Sequence, residues 1–209
     1  MNSFESDLKR AVISVPFIAG VIIETIILFT SGFDSDLFKV SVPVAATLPY
    51  STAWLLDYQS GFVKEYVPRC GINSYIISKI LACGISGGLL ETLACYIFSV
   101  FIENSGIKLN LIFSSGMLWA VVSATLAAWS KSRYIAYGGS FVIYYILVIF
   151  HDRYFESLYS IYPYEWINPE HVWVFDEQGI VILMSAITIF FALLYYCLLY
   201  TSDAADDLT

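Results

Sequence analysis

The chain has 209 residues, of which 58% are hydrophobic and 13% are charged, and its formal net charge is −8. With a mean hydropathy of +0.72, this balance is far from that of soluble domains, in which about half of the residues are apolar and about a quarter are charged. The composition excludes an ordinary soluble protein and indicates an integral membrane protein. The acidic balance gives no indication of a nucleic-acid partner.

Apolar runs predict the number of membrane spans, because about 20 helical residues are needed to cross roughly 30 Å of hydrocarbon. The sequence contains six such runs, at residues 11–30, 40–56, 75–102, 109–129, 134–150 and from 179 to beyond 196. The second run is weakly apolar and is broken by Pro43 and Pro49. We therefore predict an all-α polytopic membrane protein with six transmembrane helices.

The basic residues predict the orientation, because short cytoplasmic loops are enriched in Lys and Arg. With the N-terminus inside, seven basic residues lie on the cytoplasmic side: Lys9, Arg10, Lys64, Arg69, Lys79, Lys131 and Arg133. Three lie outside: Lys39, Lys108 and Arg153. The first apolar run lacks a small-residue cleavage pattern, so we expect a retained span rather than a signal peptide. We predict a multi-pass protein of the cell membrane with a cytoplasmic N-terminus.

The C-terminal residues differ from the rest of the chain. The stretch CLLYTSDAADD, from Cys197 to Asp207, resembles the in-frame translation of a transposon-end adaptor used to prepare sequencing libraries. We therefore expect residues 1–196 to form a single transmembrane domain and residues 197–209 to be a non-native tail.

No catalytic residue is predicted, because the sequence lacks the motifs HExxH, GxSxG and GxxxxGK[ST]. None of the four cysteines forms a CxxC pair. His151 and His171 lie near the carboxylates Asp152 and Glu170, but a sparse set of this kind in a polar loop is more often solvated than bound to a metal. We predict no metal site.

Residues 57–79 interrupt the apolar runs with acidic and then basic residues. Four apolar residues of this segment have the spacing of one helix face: Phe62, Val63, Tyr66 and Val67. Lys64 and Glu65 would then face water or a partner, and Pro68 and Gly71 would end the helix. An ordinary interfacial helix whose basic residues face anionic lipid would show the same pattern.

An ordered set of residues in this segment resembles the permease subunit of type-two ABC exporters: Asp57, Ser60-Gly61-Phe62, Arg69, Tyr75 and Lys79, followed by a glycine-rich span. In that family a cytoplasmic coupling helix between the second and third spans docks on a separately encoded ABC ATPase subunit. The resemblance implies a permease that encloses a translocation path together with a second copy or a homologous permease. It places ATP and magnesium on the partner ATPase and no cofactor in this chain. The residues that it assigns to coupling are Asp57, Gly61, Phe62, Lys64 and Arg69.

Glu24 and Glu91 are carboxylates within predicted spans, where a charge is unfavourable unless it is paired, neutralised or hydrated. One interpretation is that they line a translocation path. The other is that each is a neutral, hydrogen-bonded carboxyl at a helix interface, because neither has an obvious basic partner inside the membrane. Both interpretations stay open.

Residues 151–178, which we call the aromatic loop, combine carboxylates with eight aromatic residues: Tyr154, Phe155, Tyr159, Tyr162, Tyr164, Trp166, Trp173 and Phe175. We expect the loop to lie along the outer membrane interface. In position it resembles the element that helps to close the outer gate of type-two exporters. An aromatic belt without a gating role is the alternative.

Two classes of function follow from these features. The leading one is the permease subunit of an ABC transporter. The alternative is a non-transport membrane protein, such as an immunity or sensor protein, that binds a peptide or partner at the aromatic loop. An intramembrane enzyme would have to use Glu24, Glu91 or Asp57, and the converging groups that such a site needs are not apparent.

Overall fold

The computed structural model describes residues 3–102, 106–155, 157–173 and 175–206. Within these ranges the chain is 83% helical and contains no strand, which confirms the all-α prediction. The helices are numbered α1 to α10 in chain order, and one further turn, Tyr159–Ile161, is a 3-10 helix. Residues 207–209 of the expected non-native tail lie outside the described residues.

Four helices of the described chain are long and apolar enough to cross a membrane: α6 (Ile72–Phe101), α7 (Leu109–Ser130), α8 (Arg133–Tyr154) and α10 (Asp176–Asp206). A bent pair, α1 (Ser3–Val12) and α2 (Val15–Ser31), adds a fifth span if the pair is counted as one. These apolar helices are those of a membrane protein.

The bend of 48° between α1 and α2 follows from the local sequence. The Ser14 hydroxyl caps α2 by accepting a hydrogen bond from the backbone N–H of Phe17 at 3.2 Å. Pro16 has no backbone N–H, so the hydrogen-bond ladder of α1 does not continue through it. As a result α1 is a helix separate from α2. It carries both acidic and basic residues.

The second apolar run does not form a continuous span, so the predicted count of six is not confirmed. It is divided into α3 (Asp36–Ala45) and α4 (Ala53–Gln59), with turns between them. Pro49 lies in the turns, where it lacks an N–H and disfavours helical geometry for the preceding residue. Pro43 lies within α3, and its carbonyl accepts a hydrogen bond from the Ser140 hydroxyl of α8 at 2.9 Å. A neighbouring helix thus covers this irregular backbone.

Glycines bring α6 and α7 into close contact at the centre of the bundle. A Cβ atom on Gly87 would lie 2.5 Å from the Ala120 Cβ, 2.8 Å from the Ala46 carbonyl oxygen and 2.9 Å from that of Gly116. Only glycine at position 87 permits this approach of backbones. The most apolar window of α7 is 78% buried, against 22% for those of α8 and α10, so α7 is the central helix and the other two leave apolar faces exposed.

The short helix α5 (Phe62–Cys70) lies at the end of the bundle that also carries α1 and α4. Gly61 and Gly71 flank it with φ angles of 75° and 80°. L-residues rarely adopt these positive angles, whereas glycine does so without steric penalty. The two glycines therefore define both ends of α5.

The aromatic loop covers the opposite end. Its helix α9 (Pro163–Ile167) inserts Trp166 against Trp119 of α7, with ring centroids 6.1 Å apart. The Asn168 amide donates a hydrogen bond to the Asp34 carboxylate at 2.9 Å, which ties the loop to the turn between α2 and α3.

The glycine contact predicts that Gly87→Ala lowers the unfolding free energy by about 1–3 kcal/mol, the usual effect of overpacking a core. The matched control is Gly138→Ala on the exposed face of α8, where a Cβ would meet nothing within 4 Å. That change is expected to be neutral or to stabilise by less than about 1 kcal/mol, because alanine reduces the entropy of the unfolded chain. Unfolding in mixed micelles with increasing SDS measures both, and equal behaviour of the two variants would contradict the packing argument.

Candidate functional site

A buried lysine at the α5 end of the bundle is held between two carboxylates. The Lys79 ammonium nitrogen lies 2.9 Å from an oxygen of Asp7 on α1 and 2.7 Å from an oxygen of Asp57 on α4. The side chains of Lys79 and Asp57 are 2% and 4% exposed. An isolated charge at this depth is strongly unfavourable, so the ammonium and its partners stabilise each other only as a group.

Two tyrosines complete the surroundings of Lys79. The Tyr50 hydroxyl accepts a hydrogen bond from Lys79 at 2.9 Å and donates one to Asp7 at 2.6 Å. The ammonium also lies over the rings of Tyr50 and Tyr75, 5.0 Å and 5.3 Å from their centroids. Ser78 donates a further hydrogen bond to Asp7. The lysine is therefore solvated by protein groups instead of water.

Arg10 extends the group toward the surface. Its guanidinium donates to the second carboxylate oxygen of Asp57 at 3.0 Å, and its side chain is 54% exposed. Asp7, Arg10, Asp57 and Lys79, which we call the ion network, carry two negative and two positive charges and are neutral as a set. The ion network joins α1, α4 and α6, so these helices are connected by charge as well as by apolar packing.

The predicted coupling residues divide into two groups. Asp57 is buried in the ion network, whereas Gly61, Lys64 and Arg69 are exposed on or beside α5. Phe62 is 43% exposed and stacks on Tyr66 with ring centroids 5.0 Å apart. The exposed side of α5 therefore presents an aromatic ring, two cationic side chains and the carboxylate of Glu65.

The inner side of α5 packs against Tyr75 of α6, which in turn contacts the ion network. Val63 is buried in the apolar cluster at this end of the bundle. Tyr66 packs edge-on against Tyr75, with ring centroids 6.0 Å apart. The Tyr75 hydroxyl in turn lies 3.4 Å from an oxygen of Asp57. Two side-chain contacts thus connect α5 to Asp57, one of the charges that join α1, α4 and α6.

Glu24 and Glu91, the candidates for a translocation path, are far from α5 and lie inside the bundle. Glu24 is 1% exposed and accepts a hydrogen bond from Ser41 at 2.9 Å. Glu91 is 0% exposed, and among the described residues neither of its carboxyl oxygens has a hydrogen-bond partner. The structure therefore brings neither carboxylate together with a basic residue.

Glu165 organises the aromatic loop from within. One of its oxygens accepts hydrogen bonds from the backbone N–H groups of Glu170 and His171 and from the Trp173 indole. The other lies 2.8 Å from the His171 ring. Burial alone would raise the pKa of the Glu165 carboxyl, but the hydrogen bonds from His171 and Trp173 outweigh it and lower its pKa below the ordinary value of 4.5.

The two histidines do not meet. His151 lies 3.0 Å from Asp152, and His171 pairs with Glu165 rather than with the neighbouring Glu170. Over the described ranges, no group of three or more His, Cys, Asp or Glu side chains has an arrangement that could hold a metal ion.

The comparisons with known proteins identify no relative. No protein-family profile matches this chain, and no curated protein or solved structure matches it.

The sequence reasoning missed the ion network, although it named three of its four members. It assigned Arg10 and Lys79 to the positive cytoplasmic flank and Asp57 to coupling, and it did not name Asp7. The sequence did contain an indication that Lys79 is buried, because the lysine is followed by a long apolar run and preceded by Tyr75 and Ile76. Both of these residues are buried in the structure. A lysine in such surroundings needs an acidic partner.

We predict a large loss of stability when the central charge of the ion network is removed. Lys79→Met leaves two buried carboxylates without their shared cation, which is expected to lower the unfolding free energy by about 3–5 kcal/mol. Lys64→Met, on the exposed side of α5, is the matched control and should change stability by less than about 0.5 kcal/mol. SDS-induced unfolding in micelles measures both variants, and a stable Lys79→Met protein would show that the ion network contributes little.

The hydrogen bonds of the Glu165 carboxylate predict that the aromatic loop is less stable in acid. Because its pKa is lower in the folded loop than in the unfolded chain, its contribution to stability is complete above about pH 4.5 and is lost as the pH falls through the folded value. Hydrogen-exchange protection factors of the Glu170 and His171 amides measure this loss directly. Glu165→Gln should reduce protection above about pH 4.5, where the carboxylate contributes fully, and remove its pH dependence, and unchanged protection in that variant would contradict the assignment.

Proposed function

We propose that this chain is the membrane-spanning permease subunit of an ABC transporter, driven by a separately encoded ATPase. The observation that carries the proposal is α5, a short helix whose exposed side carries Phe62 and charged residues and whose inner side packs on Tyr75, which contacts Asp57 of the ion network. The order of Asp57, Gly61, Arg69 and Lys79 along the chain, which resembles type-two exporters, supports it further. The chain is placed in the cell membrane with α5 in the cytoplasm, as the basic residues favour.

The mechanism is mechanical. ATP and magnesium bind the partner ATPase, and ATP-driven closure of two ATPase subunits moves α5 through contacts with Phe62, Lys64 and Arg69. The positive-φ glycines at both ends allow α5 to move as a unit. Tyr66 and Tyr75 pass the movement to Asp57, and the ion network passes it to α1 and α6. A second permease copy, or a homologous permease, completes the translocation path, and no step requires chemistry from this chain.

A non-transport membrane protein that binds a peptide or partner is the second candidate. The observation that favours it is the aromatic loop, which Glu165 holds in one conformation and which exposes Tyr154 and Phe155. This function requires no ATPase, whereas transport does. The two candidates therefore differ in what co-purifies with the protein.

The test is affinity purification of the tagged full chain from its native membranes, followed by identification of the co-purifying chains and an ATP hydrolysis assay. We expect a stoichiometric P-loop ATPase with the unmodified protein. Arg69→Glu should reduce its recovery at least about tenfold, because a repulsive charge at an interface commonly costs several kcal/mol. Arg153→Glu, an exposed arginine at the end of α8 near the aromatic loop, is the matched control and should leave recovery unchanged.

Gly61→Pro tests the same segment by changing the backbone conformation at the start of α5. Proline fixes φ near about −65° and does not fit the angle of 75° at this position, so ATPase stimulation should be lost while membrane insertion is retained. Purification without any ATPase would transfer the assignment to the peptide-binding or sensor protein. Equal recovery with Arg69→Glu and Arg153→Glu would show that α5 is not the docking site.

A further inference from the structure

The turn between α7 and α8 carries two basic residues that the proposed function does not use. Lys131 and Ser132 alone connect the two helices, each of which is long and apolar enough to cross a membrane. The Ser123 hydroxyl of α7 donates a hydrogen bond to the Ala136 carbonyl of α8 at 2.6 Å, so the helices are in close contact beside the turn. A connection this short between two spans lies at a membrane surface, whichever side of the membrane it faces. We call residues 130–133 the basic turn.

The end of α4 holds both cations of the basic turn. The Lys131 ammonium lies over the Tyr58 ring, 5.0 Å from its centroid. The Arg133 guanidinium donates a hydrogen bond to the side-chain oxygen of Gln59 at 2.8 Å. Tyr58 also stacks on the buried Trp54, with ring centroids 5.2 Å apart. Because Tyr58 and Gln59 are consecutive residues, the two cations are held on the same part of the bundle surface.

Both cations are available to an anion. Lys131 and Arg133 are exposed, and among the described residues neither forms a salt bridge with a carboxylate. The Gln59 contact uses one N–H group of a guanidinium that has several. By contrast, three other basic residues at this end of the bundle are paired with carboxylates: Lys9, Arg10 and Lys79. The basic turn therefore carries two positive charges that no carboxylate of the described chain neutralises.

The backbone at Lys131 is also unusual. Its φ angle is 52°, in the left-handed region that glycine adopts without steric penalty and other residues rarely adopt. The chain thus has a lysine where glycine would suit the backbone better. Strained positions of this kind are typical of residues whose side chains have a function.

Exposed aromatic rings flank the basic turn. Trp129 is 71% exposed and Tyr134 is 90% exposed, and rings of these two types are enriched at the level of the lipid head groups. The exposed apolar face of α8, which includes Val142 and Tyr145, lies farther along the same helix. Lys and Arg beside such a face attract anionic lipids. The combination of free cations, interfacial aromatic rings and an uncovered apolar face favours a lipid over a soluble acidic partner.

We propose that the basic turn binds the phosphate of an anionic phospholipid, such as phosphatidylglycerol. Lys131 and Arg133 donate hydrogen bonds to the phosphate oxygens, whose geometry suits a guanidinium. Trp129 and Tyr134 contact the glycerol region and the upper acyl chains of the same lipid. A zwitterionic lipid would bring its own cation next to the two of the turn, so an anionic lipid is preferred. The site requires that α7 and α8 span a membrane, and it is independent of the proposed permease function.

Trp129 provides a readout at the site itself, because phospholipids with brominated acyl chains quench the fluorescence of a tryptophan that they contact. The other tryptophans are buried or half-buried: Trp54, Trp119, Trp166 and Trp173. The full chain is reconstituted in vesicles of phosphatidylcholine and phosphatidylglycerol in which one of the two lipids is brominated. The spectrum of Trp129→Phe is subtracted, and the two labelling patterns give the relative association constant of the two lipids at the turn.

We expect a preference for phosphatidylglycerol of at least about fivefold at low salt, because one Lys or Arg near the surface favours anionic lipid by about that factor. The double variant Lys131→Gly, Arg133→Gln should bind the two lipids equally within about twofold. The matched control, Lys64→Gln with Arg69→Gln, removes the same charge from α5, where Glu65 lies among the cations. It should retain the preference.

Three results would overturn the proposal. The first is an equal affinity of the unmodified protein for the two lipids. The second is an equal loss of preference in both double variants, which would indicate general surface charge and not a site. The third is a loss of preference in inorganic phosphate but not in chloride of equal ionic strength, which would make free phosphate the ligand. If the double variant does not fold, Lys131→Gly alone decides, since glycine suits the backbone there, and it should lower the preference at least about twofold.

Discussion

Lys79 lies in a helix that is otherwise apolar for most of its length, and an ammonium group there is tolerated only because Asp7 and Asp57 lie on either side of it. This requirement fixes the positions of α1 and α4 against α6. The glycine contacts between α6 and α7 then fix the central pair of helices. This arrangement leaves other apolar faces uncovered, chiefly those of α8 and α10.

The two buried polar centres of the bundle are built differently. The ion network has equal numbers of acids and bases, which leaves no net charge and gives several helices a common contact. Glu24 and Glu91 are buried with no basic partner among the described residues. The first arrangement connects helices by charge, whereas the second contains no ion pair.

The sequence predicted the long helices well, because each of the last four apolar runs is continuous and corresponds to a helix of 22 residues or more. It did not predict the division of the second run, where Pro49 and the turns around it outweigh the apolar composition. The ion network was also missed, because its members are spread over α1, α4 and α6 and only folding brings them together. Glu165 was missed for a related reason, since two of its four hydrogen-bond contacts are with backbone N–H groups, which carry no signal in the side-chain pattern.

The order of the ion network along the chain has a consequence for how the bundle assembles. Asp7, Arg10 and Asp57 all precede Lys79, and Asp7 does so by 72 residues. The carboxylates that neutralise the ammonium are therefore made before it, so Lys79 does not depend on later residues for its counter-charges.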